Sequence, residues 1–220
     1  MPNDLKKRIL TSVLLLLLFL FFNFTFFFKL GLLLIALLVF LEFKNILKKI
    51  LFKSENTNIK FFILNILTFI YIFLIFTISS IELHDRIGSS VLFLFIISIC
   101  ILSDIGGYIV GKTIGGKKLT KISPNKTISG TIGSFVFSLF SIILFKKFFT
   151  INLDVGFSLI TFVLLVALVS QLGDLFVSYL KRMARVKDTG SLLPGHGGFL
   201  DRLDGIIFAI PFSSMLIKFI

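Results

Sequence analysis

Residues 106–113 read GGYIVGKT, letter for letter the G-x-x-x-x-G-K-[ST] pattern that cradles phosphate between a buried strand and a helix. Taken alone, it makes the chain a soluble α/β nucleotide-binding protein. Its surroundings argue otherwise. The stretch closes an apolar run that begins near residue 89, and no later strand-like segment ends in an Asp to hold magnesium. In a membrane helix, Gly106, Gly107 and Gly111 instead let a neighbouring helix come close.

The composition favours the second reading. Of the 220 residues 56% are hydrophobic and only 15% charged, 30 are Phe, and the mean hydropathy is +1.06. A soluble domain of this length could not cover so much apolar surface. The single Cys, Cys100, excludes a disulfide framework and a Cys metal site, and reads as a small buried hydrophobe. A net charge of +12 in so apolar a chain points to a cytoplasmic membrane face and anionic headgroups or phosphates, not nucleic acid.

The sequence predicts an all-α, polytopic membrane bundle with about seven spans and a polar cavity on the cytoplasmic side. The spans are roughly 9–24, 26–43, 60–81, 89–111, 129–149, 156–179 and 199–220. The start, MPNDLKKRILTSVLLLLLFLFF, lacks a small-x-small cleavage site and reads as a retained first helix. Lys6, Lys7 and Arg8, then Lys44, Lys48, Lys49, Lys53 and Lys60, then Lys112, Lys117, Lys118, Lys121 and Lys126, then Lys181, Arg182, Arg185 and Lys187 fall on one side of this arrangement. The positive-inside rule makes that side cytoplasmic, in a bacterial-type inner membrane. Lys146 and Lys147 fall on the other side, where only snorkelling accommodates them. Residues 1–99 read as membrane helices with little catalytic signal and 100–220 as the catalytic region, within one continuous membrane domain.

Polar residues at membrane depth gather in the second half. In QLGDLFVSYLKRMAR, 171–185, Gln171, Asp174, Ser178, Lys181, Arg182 and Arg185 share one helical face. Asp174, the deep member, needs a cation, a metal or a water-filled cavity, or an internal pairing of the Asp174–Arg182 kind. Residues 186–205, VKDTGSLLPGHGGFLDRLDG, hold Gly190, Pro194, Gly195, Gly197 and Gly198, which break helix and leave N–H groups suited to phosphate oxygens. Asp201 and Asp204, spaced i, i+3, put two carboxylates on one helix face. With Asp174 they form an oxygen set suited to Mg²⁺, although acids at a helix N-terminus also complement its dipole. His196 reads as a loop residue that contacts ligand or is hydrogen-bonded within the loop, in preference to a general base. In KISPNKTISGTIGS, 121–134, Ser123, Lys126 and Thr127 either cap the next span or make a phosphate-binding corner. Asp104, in an apolar run, either holds a lysine of the neighbouring loop or joins the polar cavity.

From Ser178 to Asp204 the chain, SYLKRMARVKDTGSLLPGHGGFLDRLD, resembles the phosphatidate cytidylyltransferase family, with its S-x-L-K-R, K-D-x-G, L-P-x-H-G-G and D-R-x-D elements. QLGDL and the D-x-G-G-Y of Asp104–Tyr108 are similar to other blocks of that family. SPNKTISGTIGS resembles its S-P-K-K-T-x-E-G-x-x-G-G block, departing at Asn125, Ser129 and Ser134. The likeness covers roughly residues 100–210.

The resemblance implies transfer of a cytidylyl group from CTP to phosphatidic acid, giving CDP-diacylglycerol and pyrophosphate in phospholipid biosynthesis. It implies that Asp174, Asp201 and Asp204 hold Mg²⁺ and that Lys181 and Arg182 act with them at the reacting phosphates. Ser123, Lys126, Thr127, Ser178, Lys187, Asp188, His196, Gly197, Gly198, Arg202 and Asp104 are then substrate-binding. CTP, phosphatidic acid and membrane lipid are the implied partners; a second, monovalent cation and a homodimer stay open. A CTP-dependent polyprenol kinase would use the same cavity. A CDP-alcohol phosphatidyltransferase lacks its D-G-x-x-A-R hallmark here, since Asp204-Gly205 is followed by IIFA. A transporter would need polar residues through several spans, and the first three are almost purely apolar.

Overall fold

The computed structural model describes residues 27–51, 57–85, 90–120, 122–149, 157–193 and 197–218. The expected first span, 9–24, and His196 lie outside them, as do Pro194 and Gly195. Among the described residues the chain is helical, with isolated bridges at Lys118–Thr127 and Leu193–Gly197 and no strands. The helices are α1 (Phe28–Leu51), α2 (Thr57–Phe69), a π-helical segment (Ile70–Phe76), α3 (Thr77–Asp85), α4 (Val91–Thr113), α5 (Ile128–Phe149), α6 (Phe157–Met183), α7 (Leu200–Leu203) and α8 (Ile206–Ile217).

Among the described residues, five stretches are long and apolar enough to cross a membrane: Phe28–Leu51, Asn58–Asp85, Val91–Thr113, Ile128–Lys147 and Ser158–Met183. The predicted last span, 199–220, is divided instead. Asp204 and Gly205 separate the four-residue α7 from α8, and Pro211 lies inside α8. Twelve residues of α8 rise about 18 Å, too short for the roughly 30 Å hydrocarbon core.

Two compact units are present, and they do not follow chain order. One takes the chain up to Ile81 together with Leu180–Leu203; the other takes Glu82–Tyr179 and the chain from Asp204. In the first, α1 buries Leu32, Ala36, Val39, Phe43, Ile46 and Leu47 at helical spacing. Its other side exposes Leu30, Leu33, Leu34, Leu37 and Leu41, a surface suited to lipid and not to water. Phe40 of α1 meets Phe69 and Phe73 edge-on at 5.7 and 5.9 Å, and those two rings stack at 4.6 Å across the start of the π segment.

In the second unit the eight residues GGYIVGKT end α4, and their glycines face α5. A Cβ on Gly107 would lie 2.5 Å from Ser134 Oγ, and one on Gly130 would lie 2.8 Å from the Gly107 carbonyl. One on Gly133 would lie 2.5 Å from Val110 Cβ and 2.8 Å from the Gly106 carbonyl. The glycines are a two-sided packing seam, as the membrane reading requires. Lys146 and Lys147 stand exposed in the last turn of α5, where positive charge complements the helix dipole.

Candidate active site

The seam of α4 and α5 positions a cavity. After α4 the chain turns through Gly115 and Gly116, both with positive φ. It returns with Leu119 N–H donating to the Lys126 carbonyl at 2.8 Å and Ile128 N–H donating to the Lys117 carbonyl at 3.0 Å. Thr127 then caps α5: its hydroxyl accepts the Gly130 N–H at 3.1 Å. Capping and the phosphate-binding corner are thus not exclusive, because Thr127 also lines the cavity beside Ser123 and Lys126. The Ser129 hydroxyl donates to the Gly115 carbonyl and lies 3.0 Å from Thr127 Oγ1.

The cavity measures about 300 Å³, at the lower end for a small-molecule site. Asp104 and Tyr108 of α4, Gln171 and Asp174 of α6, and Asn125, Thr131 and Ser134 complete its polar lining. Asp174 forms an ion pair with Lys126. An internal pairing is thus formed, with Lys126 as the cation, and Asp104 joins the cavity. Ser178, one turn beyond Asp174, donates to its Oδ1 at 3.3 Å and so braces the carboxylate. Lys126 and Asp174 keep 27% and 25% of their side chains exposed, enough for a ligand to reach both. Lys112 does not line the cavity: its Nζ donates to Tyr108 Oη at 3.4 Å and sits 5.6 Å from the ring centre.

The rest of the polar stripe serves the other unit. Lys181 pairs with Asp201 at 2.8 Å. The helix ends at Met183, and Arg185, with φ 56°, leaves the predicted face in a left-handed C-terminal turn. Asp201 Oδ2 also accepts the N–H groups of Thr189 at 2.7 Å and Gly198 at 3.0 Å. Burial works against its charge, but the hydrogen bonds from Lys181, Thr189 and Gly198 and the Lys181 charge outweigh it, so its carboxyl is held below the usual carboxylate range. Gly197 adopts a φ of 85°, and a Cβ there would stand 3.0 Å from Asp201 Oδ2. Arg182, Lys187, Asp188 and Arg202 are exposed, and Asp204 Oδ1 accepts the Gly205 N–H at 2.9 Å.

One residue escaped the reading of the sequence. Glu42, the single acid of α1, is 3% exposed. Its Oε2 accepts from Thr189 Oγ1 at 2.7 Å and Leu200 N–H at 2.9 Å, and its Oε1 from Phe199 N–H at 3.0 Å. The signal was present as a lone carboxylate in an apolar span, which is costly unless it has partners. Nothing in the sequence named those partners, more than 140 residues away.

Among the described residues, no group of three His, Cys, Asp or Glu side chains closes on one point as a preformed metal site would. The donors around the cavity, carboxylates of Asp104 and Asp174 with hydroxyls of Ser123 and Thr127, are all oxygen and chemically suit a hard divalent cation. The Asp204 backbone packs against α6 at Gly173, where a Cβ would lie 2.9 Å from the Asp204 carbonyl, and Asp204 is not among the residues that line the cavity. Asp201 fits less well, since Lys181, Thr189 and Gly198 already occupy its oxygens.

These features define a helical membrane protein with a charged, ligand-sized cavity. The sequence matches the Cytidylyltransferase family over residues 3–220, and the chain belongs to that family. It is 44% identical over 117 residues to a phosphatidate cytidylyltransferase of Staphylococcus haemolyticus, covering 53% of this chain and 45% of that protein. It is 42% identical over 116 residues to that of Bacillus subtilis, covering 52% and 43%. With that of Staphylococcus saprophyticus it is 41% identical over 125 residues, covering 56% and 48%. The matched stretch thus spans less than half the length of each relative.

Proposed function

We propose that the chain is a phosphatidate cytidylyltransferase, joining CTP and phosphatidic acid into CDP-diacylglycerol and releasing pyrophosphate. The observation that carries this reading is the cavity in which Lys126 faces Asp174 and Asp104 at the end of a membrane helix seam, in a chain of this family. The lipid phosphate is already ionised at neutral pH and attacks the α-phosphate of CTP without a general base. The protein's task is to bring two anions together and to stabilise the charge that develops on the leaving pyrophosphate.

Lys126 supplies an ammonium that exchanges its pairing with Asp174 for phosphate oxygens. Ser123 and Thr127 offer hydroxyls to the same group, and Asp104 and Asp174 orient the cations around it. The exposed Arg182, Lys187 and Arg202 give the cytoplasmic side a positive field that draws in CTP. Asp174 and Asp104, the carboxylates of the cavity, and Asp204 of the same compact unit are the ones that would hold Mg²⁺. Mg²⁺ supplies charge neutralisation on phosphoryl oxygens when bound. The basic groups flanking the spans support an inner-membrane location with the site facing the cytoplasm.

The test uses purified protein in nanodiscs containing phosphatidic acid, with Mg²⁺ and CTP labelled at the α-phosphate. Label in the lipid and free pyrophosphate are expected. CTP converted to CDP, without label in the lipid, would show a kinase. Chelation by EDTA is expected to stop turnover; full activity without divalent cation would remove the metal from the reading.

A further inference from the structure

We propose that Tyr108 is the platform on which the cytosine base of the nucleotide stacks, so that the cavity tells a nucleotide from other polyphosphates by its ring. The role rests on the function proposed above, whose groups account for the phosphates and leave the base without a partner. Lys126, Ser123, Thr127 and Asp174 all address phosphate or cation. A base needs a flat apolar surface for its π-face, and an aromatic side chain supplies one. Among the described residues that line the cavity, Tyr108 is the single aromatic.

Its setting holds the ring and leaves it open. Tyr108 stands on α4 one turn beyond Asp104 and one turn before Lys112, and it is 68% exposed. Lys112 Nζ is 3.4 Å from its Oη but 5.6 Å from the ring centre, so the ammonium pins the hydroxyl end and covers neither face. The backbone beneath the ring is fixed by the glycine seam. A Cβ on Gly107 would lie 2.5 Å from Ser134 Oγ, and one on Gly111 would lie 3.1 Å from Thr127 Oγ1, and both of those partners line the cavity. A ring already held on a packed helix loses little freedom when a base settles on it. Two carboxamides, Asn125 and Gln171, line the same cavity, and among the described residues Gln171 Nε2 has no hydrogen-bond partner. Each carries both a donor and an acceptor, which a base edge uses and a phosphate does not. All of these groups belong to one compact unit.

A tyrosine near the end of a membrane helix also serves as an interfacial anchor, and the two roles separate by experiment. The chain contains no Trp, so Tyr108→Trp places a single indole at the proposed platform. In nanodiscs without phosphatidic acid, CTP with Mg²⁺ is expected to quench its fluorescence saturably. Inorganic tripolyphosphate is expected to displace labelled CTP without quenching. Tyr108→Leu is expected to raise KM for CTP about tenfold or more, the scale of one base–aromatic stack, with the midpoint of thermal unfolding unmoved. Tyr108→Phe, which keeps both ring faces, should restore most of the affinity. That pair decides the matter should the indole be too large to admit CTP.

Labelled CTP bound to Tyr108→Trp without quenching would overturn the platform, as would quenching by tripolyphosphate equal to that by CTP. So would a wild-type KM in Tyr108→Leu, which leaves the ring an anchor at the membrane surface. The wild-type protein reads the underlying function separately. If it turns CTP over and the Tyr108 variants behave as it does, the platform alone fails; if it neither binds nor consumes CTP, both fail.

Discussion

Two clusters of acid and base in this chain differ in one respect that separates their uses. Around Lys126 and Asp174 the side chains keep about a quarter of their surface open, and the cavity beside them has room for a ligand. Around Asp201 and Glu42 they do not: Asp201 and Lys181 keep 8% and 15%, Glu42 keeps 3%, and each acceptor is taken by a protein donor. Ion pairs in the two clusters look alike in the sequence. Their surroundings leave one open beside a cavity and make the other a fixture for the loop.

The comparison breaks most visibly at the open cluster. Asp174→Asn, or Lys126→Ala, is expected to lower turnover by about a hundredfold or more while the protein stays folded. Wild-type turnover in either, measured with labelled CTP, would move the site away from this cavity. Next comes the seam that shapes the cavity. Gly133→Leu drives a branched side chain against Val110 and the Gly106 carbonyl, and should cost about 1–3 kcal/mol through overpacking. An unchanged midpoint of thermal unfolding in detergent would contradict the close approach of α4 and α5.

The closed cluster should show itself in pH dependence. The carboxyl of Asp201 is depressed in the folded state relative to the unfolded one, so its contribution is fully present above its unfolded value, about 4, and fades as pH falls through the folded value. The difference in thermal stability between wild type and Asp201→Asn should therefore be constant from pH 7 down to about 5 and shrink below about 4. A difference that grows on acidification would show that the carboxylate is not the form being stabilised. The smallest effect belongs to Lys112→Ala. Its exposed contact with Tyr108 is worth about 0.5–1 kcal/mol, and turnover should fall by less than about fivefold by that measure. Complete inactivation would restore the phosphate-loop reading of GGYIVGKT.

Much of the candidate site could be read without coordinates because its residues are costly where they stand. Asp174, Asp104 and Lys126 interrupt apolar or turn-rich sequence, and the three line one cavity. What could not be read was partnership. Asp174 had a cation on its own helix at i+8 and took one from another element. Arg185 was placed on the polar face by periodicity, but the helix stops two residues before it. The last span failed for a similar local reason, since Asp204-Gly205 separates two helices that hydropathy joins.

The sequence by itself determined the class of molecule: helices long and apolar enough for a membrane, a seam of small residues where a phosphate loop might have been, and a polar segment in 171–205. These follow from composition and from periods of a few residues, which are local. Only the tertiary structure decided which carboxylate is open and which is closed, because that depends on donors brought from distant parts of the chain. Glu42 is the plainest case. Its cost as a buried charge in α1 is visible in one helix, and the hydroxyl and N–H groups that offset it come from Thr189, Phe199 and Leu200.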